Sequence, residues 1–436
     1  MAREYKDSGI EWIGQIPKEW DVSKLKYLTA ILQSGGTPTS SNASLYSEDG
    51  TSWVAIGDMR HCGEISYTQK HLTDEGLKEK SLIVFPVGTL LYSIYASVGK
   101  VSILGIPAAI NQAILAISLN EKAKQEYVKF VLTSMENYVF SLANGNTQFN
   151  LNAGIVSNFV LPLPSLLSQQ KIADYLDKTC GEVDEMVALQ ETMIEELKAY
   201  KQSVITEVVT KGLNPNAPMR NSGIDWIGDI PEHWGIQRLK TLGWTQNGIS
   251  QSGDYFGEDY EYPFISYSDA YKNYSLPYPS GRANSSEEDR QKYSLIEGDV
   301  LFTRTSETIE EIGFASTCIE TIPNVVYSGF LIRFRPTSEN LFKGFSKYYF
   351  RSQVHRAYFV KQMNIVTRAS LGQDLLKNLV VLLPPLDEQR AIASYLDTKC
   401  SEIDSLIALK QAKIDELKEY KKSVIYEYVT GKKEVC

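Results

Sequence analysis

The sequence predicts an α+β protein: two similar globular bodies separated by an antiparallel coiled coil of two long helices, with pseudo-two-fold symmetry from tandem duplication. Three observations predict it. "SGIEWIGQIPKEW", from Ser8 to Trp20, returns as "SGIDWIGDIPEHW", from Ser222 to Trp234, an offset of 214 residues (222 minus 8). The stretch beginning "YLDKTCGEVDEMVALQ" at Tyr175 returns as "YLDTKCSEIDSLIALK" at Tyr395, an offset of 220 (395 minus 175). Both of these later stretches carry apolar residues at alternating steps of four and three, the 3.5-residue seam of a coiled coil.

The head segments open each half, and a body follows each of them. Short apolar runs bounded by Gly, Ser and Pro read as strands: "TSWVAIG", "GTLLYSIYA" and "AILAISL" in the first body, "YPFISYS", "GDVLFTRT" and "GFLIRFRP" in the second. One helical stretch per body comes next, "EYVKFVLTSMENYVFSL" and "NLFKGFSKYYFRSQVHRAYFVKQ". A polar loop and a strand ending in "LPLP" or "LLPP" then lead into the long helix. These signals divide the chain into a first body at 1–165, a first spacer helix at 166–212, a second body at 213–385 and a second spacer helix at 386–436.

In the first helix the seam runs through Leu176, Cys180, Val183, Val187, Gln190, Ile194, Leu197, Lys201, Val204 and Val208. The second repeats it through Leu396, Cys400, Ile403, Ile407, Lys410, Ile414, Leu417, Lys421, Val424 and Tyr428. Both seams are broken by polar residues at the same two steps, Gln190/Lys410 and Lys201/Lys421, and such residues fix register and partner choice. Two matched seams in one chain are expected to pair with each other. Antiparallel pairing sends Cys180 and Cys400 to opposite ends, so both are expected to be small core residues and not a disulfide.

The loop after each body's helix carries the best candidates for recognition. "NGNTQFNL" (Asn144–Leu151) aligns with "NIVTRASL" (Asn364–Leu371), with Asn, Thr and Leu matched and Gln148 facing Arg368. A shared frame holding different polar residues suits two readers of different targets; by donor–acceptor geometry Gln fits adenine and Arg fits guanine in a major groove. A polar surface loop with a shared turn is the plainer alternative. Thr147, Gln148, Asn150, Thr367, Arg368 and Ser370 are therefore candidate DNA contacts, joined by Arg304 in "GDVLFTRT" and Arg60 in "SWVAIGDMR". From Arg333 to Lys377 nine Lys/Arg stand against Glu339 and Asp374, interleaved with aromatics, a pattern compatible with phosphate contacts although a basic helix is more often just a solvated face.

Composition limits the classes. With 43% hydrophobic and 11% aromatic residues the chain is globular, and no apolar run approaches the roughly 20 residues of a spanning helix. The N-terminal stretch lacks a signal-peptide pattern, so a cytoplasmic location is expected. Five dispersed cysteines make no disulfide framework, and four scattered histidines make no zinc spacing. No phosphate-binding or dinucleotide glycine motif occurs, which points to a binder without catalysis of its own. The net charge of −9 counts against nucleic-acid binding.

In this order and twice over, the pieces resemble the specificity subunit of Type I restriction–modification systems. The head segments resemble the family's opening of each half, and "LPLPSLLSQQKIADYL" and "LPPLDEQRAIASYL" resemble its entry into the spacer helices. "GGTP" with "SWVAIGDMR" is similar to openings of its target-recognition domains; the first copy departs from the second in having Ser168 where the second has Glu388. The resemblance implies that each body is a target-recognition domain reading one half of a bipartite, asymmetric double-stranded DNA target. It implies that the coiled coil, through positions such as Leu176 and Leu396, sets the gap and docks two methyltransferase subunits. Two motor-nuclease subunits complete the complex. No cofactor is expected on this chain; S-adenosylmethionine, ATP and Mg²⁺ belong to the partners. The rival reading is a two-headed coiled-coil scaffold that binds proteins.

Overall fold

The computed structural model describes residues 3–59, 63–95, 97–141, 151–250, 255–306, 311–362 and 369–435. Two helices dominate it, Leu166–Lys211 of 46 residues and Leu386–Val429 of 44. Each begins after a proline that ends a strand, where the chain can no longer donate to a ladder. Each ends at a glycine with a left-handed backbone, Gly212 at φ +76° and Gly431 at φ +72°. These glycines also sit against tryptophan. A Cβ at Gly212 would lie 3.2 Å from Trp234, and one at Gly431 would lie 3.0 Å from Trp20 and 2.5 Å from Pro17.

The chain forms two compact units, Met1–Gln190 with Ala412–Cys436, and Glu191–Gln411. Each unit therefore combines one body with half of each long helix. Within the first unit the helix halves run antiparallel: Tyr175 meets Tyr428 with ring centroids 4.4 Å apart, and Asp184 meets Lys421 at 2.7 Å. Within the second, Met193 Sδ lies 3.0 Å from Lys410 Nζ, and Asp404 pairs with Lys201 at 2.6 Å. The polar seam residues Lys201 and Lys421 thus find carboxylates at equivalent places. Of the seam residues, Leu176, Val183, Ile194, Val204, Leu396, Ile403, Ile414, Leu417 and Val424 are buried, while Val187, Leu197 and Ile407 are half-buried. Cys180 and Cys400 are buried free thiols, each in its own unit.

The bodies share one topology despite their unlike sequences. In the first, the main sheet orders Thr29–Ser34, Ile114–Leu119, Leu90–Ser93, Val101–Leu104 and Glu64–Ile65. In the second, Gly243–Asn247, Leu331–Pro336, Val300–Thr303 and Ala315–Thr317 follow the same order. A smaller sheet in each contains a parallel pair, Ala109–Ile110 with Trp53 and Val54, and Phe264 and Ile265 with Val326–Tyr327. The predicted strands all appear. Each predicted body helix is split in two: Gln125–Ser134 and Glu136–Ser141 in the first, Lys343–Tyr349 and Val354–Gln362 in the second. In the second body buried Ser352 donates to the Tyr349 carbonyl, and the neighbouring Arg351 guanidinium donates to the carbonyls of Ala270, Asn273 and Ala315.

The repeated head segment is the seat for a helix end. Trp20 and Trp234 are buried, and Trp234 Nε1 donates to Glu388 at the start of the second long helix, 3.1 Å. His233 meets the same carboxylate at 2.8 Å. The first unit has Glu19 and Ser168 at the matching positions; Arg3 takes Glu19 instead, at 2.6 Å. A glutamate at 168 would face Glu19, so the two differences between the repeats compensate each other. Tyr127 Oη donates to the Val429 carbonyl, 3.2 Å, so the arriving helix end is held by the body as well as by the head.

Candidate nucleic-acid interface

The chain returns from each candidate loop to the body at one end of the main sheet, and the described geometry there is the same twice. In the first body the Leu151 N–H donates to the Ile94 carbonyl, 3.1 Å, just past the strand Leu90–Ser93. In the second the Leu371 N–H donates to the Arg304 carbonyl, 2.7 Å, just past Val300–Thr303. Both leucines are fully buried. Ile94 donates in turn to the Ala113 carbonyl, 2.8 Å, and Arg304 to that of Phe330, 2.9 Å. The neighbouring turn is closed by Gly35 and Gly248, where a Cβ would strike the carbonyl of Ile110 at 1.8 Å or of Ser328 at 2.2 Å. Three chain segments are thus knotted at the exit of each loop.

Of the candidate contacts, the structure brings Arg304 and Ser370 together. Thr305 pairs with Ser370 in the short ladder of Thr305–Ser306 and Ala369–Ser370. Ser370 is exposed and Arg304 is half-buried. Thr147, Gln148, Asn150, Thr367, Arg368 and Arg60 lie outside the described residues.

The basic stretch from Arg333 to Lys377 spends most of its described cations on the body itself. Arg333 is fully buried, donating to Gln246 Oε1 at 2.5 Å and stacking over Trp244 at 4.7 Å. Arg335 makes a two-point ion pair with buried Asp299, 2.8 and 2.6 Å. Lys343 pairs with Glu297, Lys347 with Asp397, Lys361 with Asp225 and Lys377 with Asp374. Arg356 donates to the carbonyls of Ile312 and Gly313, and burial pushes its pKa down to about 10. Beside it, burial and then the Arg356 charge drive His355 down to about 3, so that imidazole is neutral. Sequence reasoning missed this because a one-dimensional charge count does not see carbonyls or acids supplied from elsewhere in the chain.

It also missed a pair of buried glutamines. Gln169 Oε1 accepts from the Lys124 N–H, 2.7 Å, and its amide donates to the Pro164 carbonyl, 2.9 Å. Gln389 repeats the arrangement with the Phe342 N–H and the Pro384 carbonyl, both 2.8 Å. Each glutamine ties the first turn of a body helix to the start of a long helix, which sets the body on its mount. The repeated "Q" in the two spacer entries was the visible signal. Among the described residues no group of three or more His, Cys, Asp or Glu is arranged to hold a metal, and no helix is long and apolar enough to cross a membrane.

Comparison with known proteins agrees with the duplicated layout. The chain is 26% identical over 323 residues to the Type I restriction enzyme MjaIX specificity subunit of Methanocaldococcus jannaschii, covering 71% of this chain and 70% of that one. It is 24% identical to the MjaVIII specificity subunit of the same organism, over 82% of this chain and 81% of that one. In fold it is similar to a chain solved in work on the complex assembly and conformational transition of the type I R-M system. That match has a TM-score of 0.69 at 18% identity and covers 95% and 98% of the two chains. The family description "Type I restriction modification DNA specificity domain" matches twice, at residues 17–199 and 231–419, and the chain accordingly belongs to that family.

Proposed function

We propose that this chain is the non-catalytic reader of a type I restriction–modification complex, with each body reading one half of a bipartite, asymmetric DNA duplex. The observation that carries the reading is the duplicated anchor: Leu151 on Ile94 and Leu371 on Arg304 present two unlike loops from the same place on the same scaffold. In this reading the bodies at 1–165 and 213–385 are the recognition domains, and the helices at 166–212 and 386–436 set the gap and receive two methyltransferase subunits. Exposed apolar residues support the docking role. Met186, Leu189 and Tyr420 in the first unit correspond at the 220 offset to Leu406, Leu409 and Tyr200 in the second, and all are 47–67% exposed. Apolar positions kept outward at equivalent places fit one kind of protein partner bound twice. The partners carry S-adenosylmethionine, ATP and Mg²⁺, a pair of motor-nuclease subunits completes the assembly, and the complex works in the cytoplasm.

Thr147, Gln148 and Asn150 are the reading residues of the first loop; Thr367, Arg368 and Ser370 are those of the second, with Arg304 and Arg60 beside them. The test is a methylome. The chain is co-expressed with its neighbouring methyltransferase in a methylation-free host, and N6-methyladenine is mapped by single-molecule sequencing. The expected result is a split motif with a fixed gap, of which one half changes with Arg368→Ala. An unchanged motif discards the loop assignment. No motif, with an active methyltransferase present, favours the protein-binding scaffold.

A further inference from the structure

The two loop exits share their backbone but not their side chains. At the first, Ile94 and Ala113 are buried, 3% and 8% exposed, and close the surface with aliphatic groups. The equivalent positions in the second body hold Arg304 and Phe330, and Phe330 is 60% exposed. An isolated exposed apolar side chain on a surface is ordinary. The backbone beneath this one is not loose, however. The Phe330 N–H donates to Ser328 Oγ, 3.2 Å, and the Leu331 N–H to the Ser328 carbonyl, 3.0 Å. Gly329 donates to the Ile249 carbonyl at 2.6 Å, and the Phe330 carbonyl accepts from the Arg304 N–H. An aromatic ring is therefore held out of the surface by a turn tied at every step, directly beside an arginine. Arg304 has no ion pair among the described residues, whereas Arg333, Arg335, Arg351 and Arg356 are all bound inside the body.

A ring held in this way offers a preorganised apolar contact, and the major groove presents one apolar feature, the 5-methyl group of thymine. We infer that Phe330 is a specificity-determining residue of the second body, packing on a thymine methyl in its half of the target, with Arg304 alongside on the same base step or its phosphate. At the equivalent positions the first body has Ile94 and Ala113 instead. This inference rests on the reading of the chain as a two-headed DNA reader, and goes beyond it by naming a residue and the chemical group it selects.

The experiment uses the complex of this chain with its methyltransferase subunits. Once the wild-type motif is mapped, duplexes are made in which each thymine of the second half, on either strand, is replaced in turn by deoxyuridine, which lacks only the methyl. One such replacement is expected to lower methylation kcat/KM for the wild type about tenfold, the lower end of what one methyl contact contributes. Phe330→Ala is expected to lose discrimination between thymine and uracil at that position and to leave the first half of the motif unchanged; Phe330→Leu should keep part of it. Circular dichroism and gel filtration check that the variants fold and assemble. The assignment is overturned if no thymine of the second half is sensitive to the replacement, or if Phe330→Ala keeps the discrimination. It is also overturned if the variant weakens all duplexes equally, as a wedge between base steps would. Absence of any split motif from the wild type removes the two-headed reading itself, a different outcome from a motif that ignores Phe330.

Discussion

His355 is held neutral inside the second body, with its pKa driven from 6.5 to about 3 by burial and by the adjacent Arg356. The unfolded chain binds a proton there near pH 6.5, while the folded one does not until much lower pH. Folding stability from this site is therefore fully present above pH 6.5 and is lost as pH falls from there toward 3. Between pH 7 and pH 5 the loss is about 2 kcal/mol at most. Urea unfolding of the full chain at those two pH values should show it, and His355→Phe should flatten the difference. An equal pH dependence in the variant would assign the effect elsewhere. The same inward-facing charge is what a composition count of the run from Arg333 to Lys377 does not show. Eight aromatics and nine arginine or lysine residues stand together in that run, yet Arg333 and Arg335 are consumed by Ser294, Gln246 and Asp299.

At the scale of elements, the long helices are joined to their bodies through Gln169 and Gln389. Replacing Gln389 by alanine leaves the Phe342 N–H and the carbonyls of Asn340 and Pro384 without their partner. Buried groups orphaned in this way cost about 1–3 kcal/mol, to be read as a lower denaturation midpoint. Gln389→Glu keeps the acceptor and should fall between alanine and the wild type. A smaller effect is expected for the seam ion pairs. Lys421 is bonded to both oxygens of Asp184 at 2.7 Å, but the carboxylate is 62% exposed, so Lys421→Ala should cost no more than about 1 kcal/mol. Charge reversal is more telling. Lys421→Asp places two carboxylates together, and the double exchange with Asp184→Lys should recover most of the loss in thermal unfolding if the pair sets the register.

For the molecule as a whole, the net charge of −9 opposes phosphate binding, and in the second body Arg333, Arg335, Arg351 and Arg356 are turned to internal partners. The isolated chain should therefore bind duplex DNA weakly, with a shallow dependence of affinity on salt between 50 and 200 mM. If the methyltransferase subunits supply the phosphate contacts, adding them should tighten binding and steepen that slope. A steep slope for the chain alone would place those contacts on this protein.

The sequence by itself determined the duplication, the α+β bodies, the strands, the two long helices and the polar steps in their seams, because repetition and periodicity are properties of neighbours along the chain. "SGIEWIGQIPKEW" and its copy announced a shared mount, and the seam announced antiparallel pairing. What the tertiary structure alone decided was where polar groups end. Lys421 is 237 residues from Asp184 and Lys201 is 203 from Asp404, and no local pattern names such partners. It decided that Arg351 and Arg356 bind carbonyls, that each body helix breaks, and that Gly431 seats on Trp20 at the opposite end of the sequence. It also set Phe330 outward on a tied turn where the first body has a buried alanine. Burial and hydrogen-bond satisfaction depend on what the rest of the chain brings to a position, and that is settled only when the chain is folded.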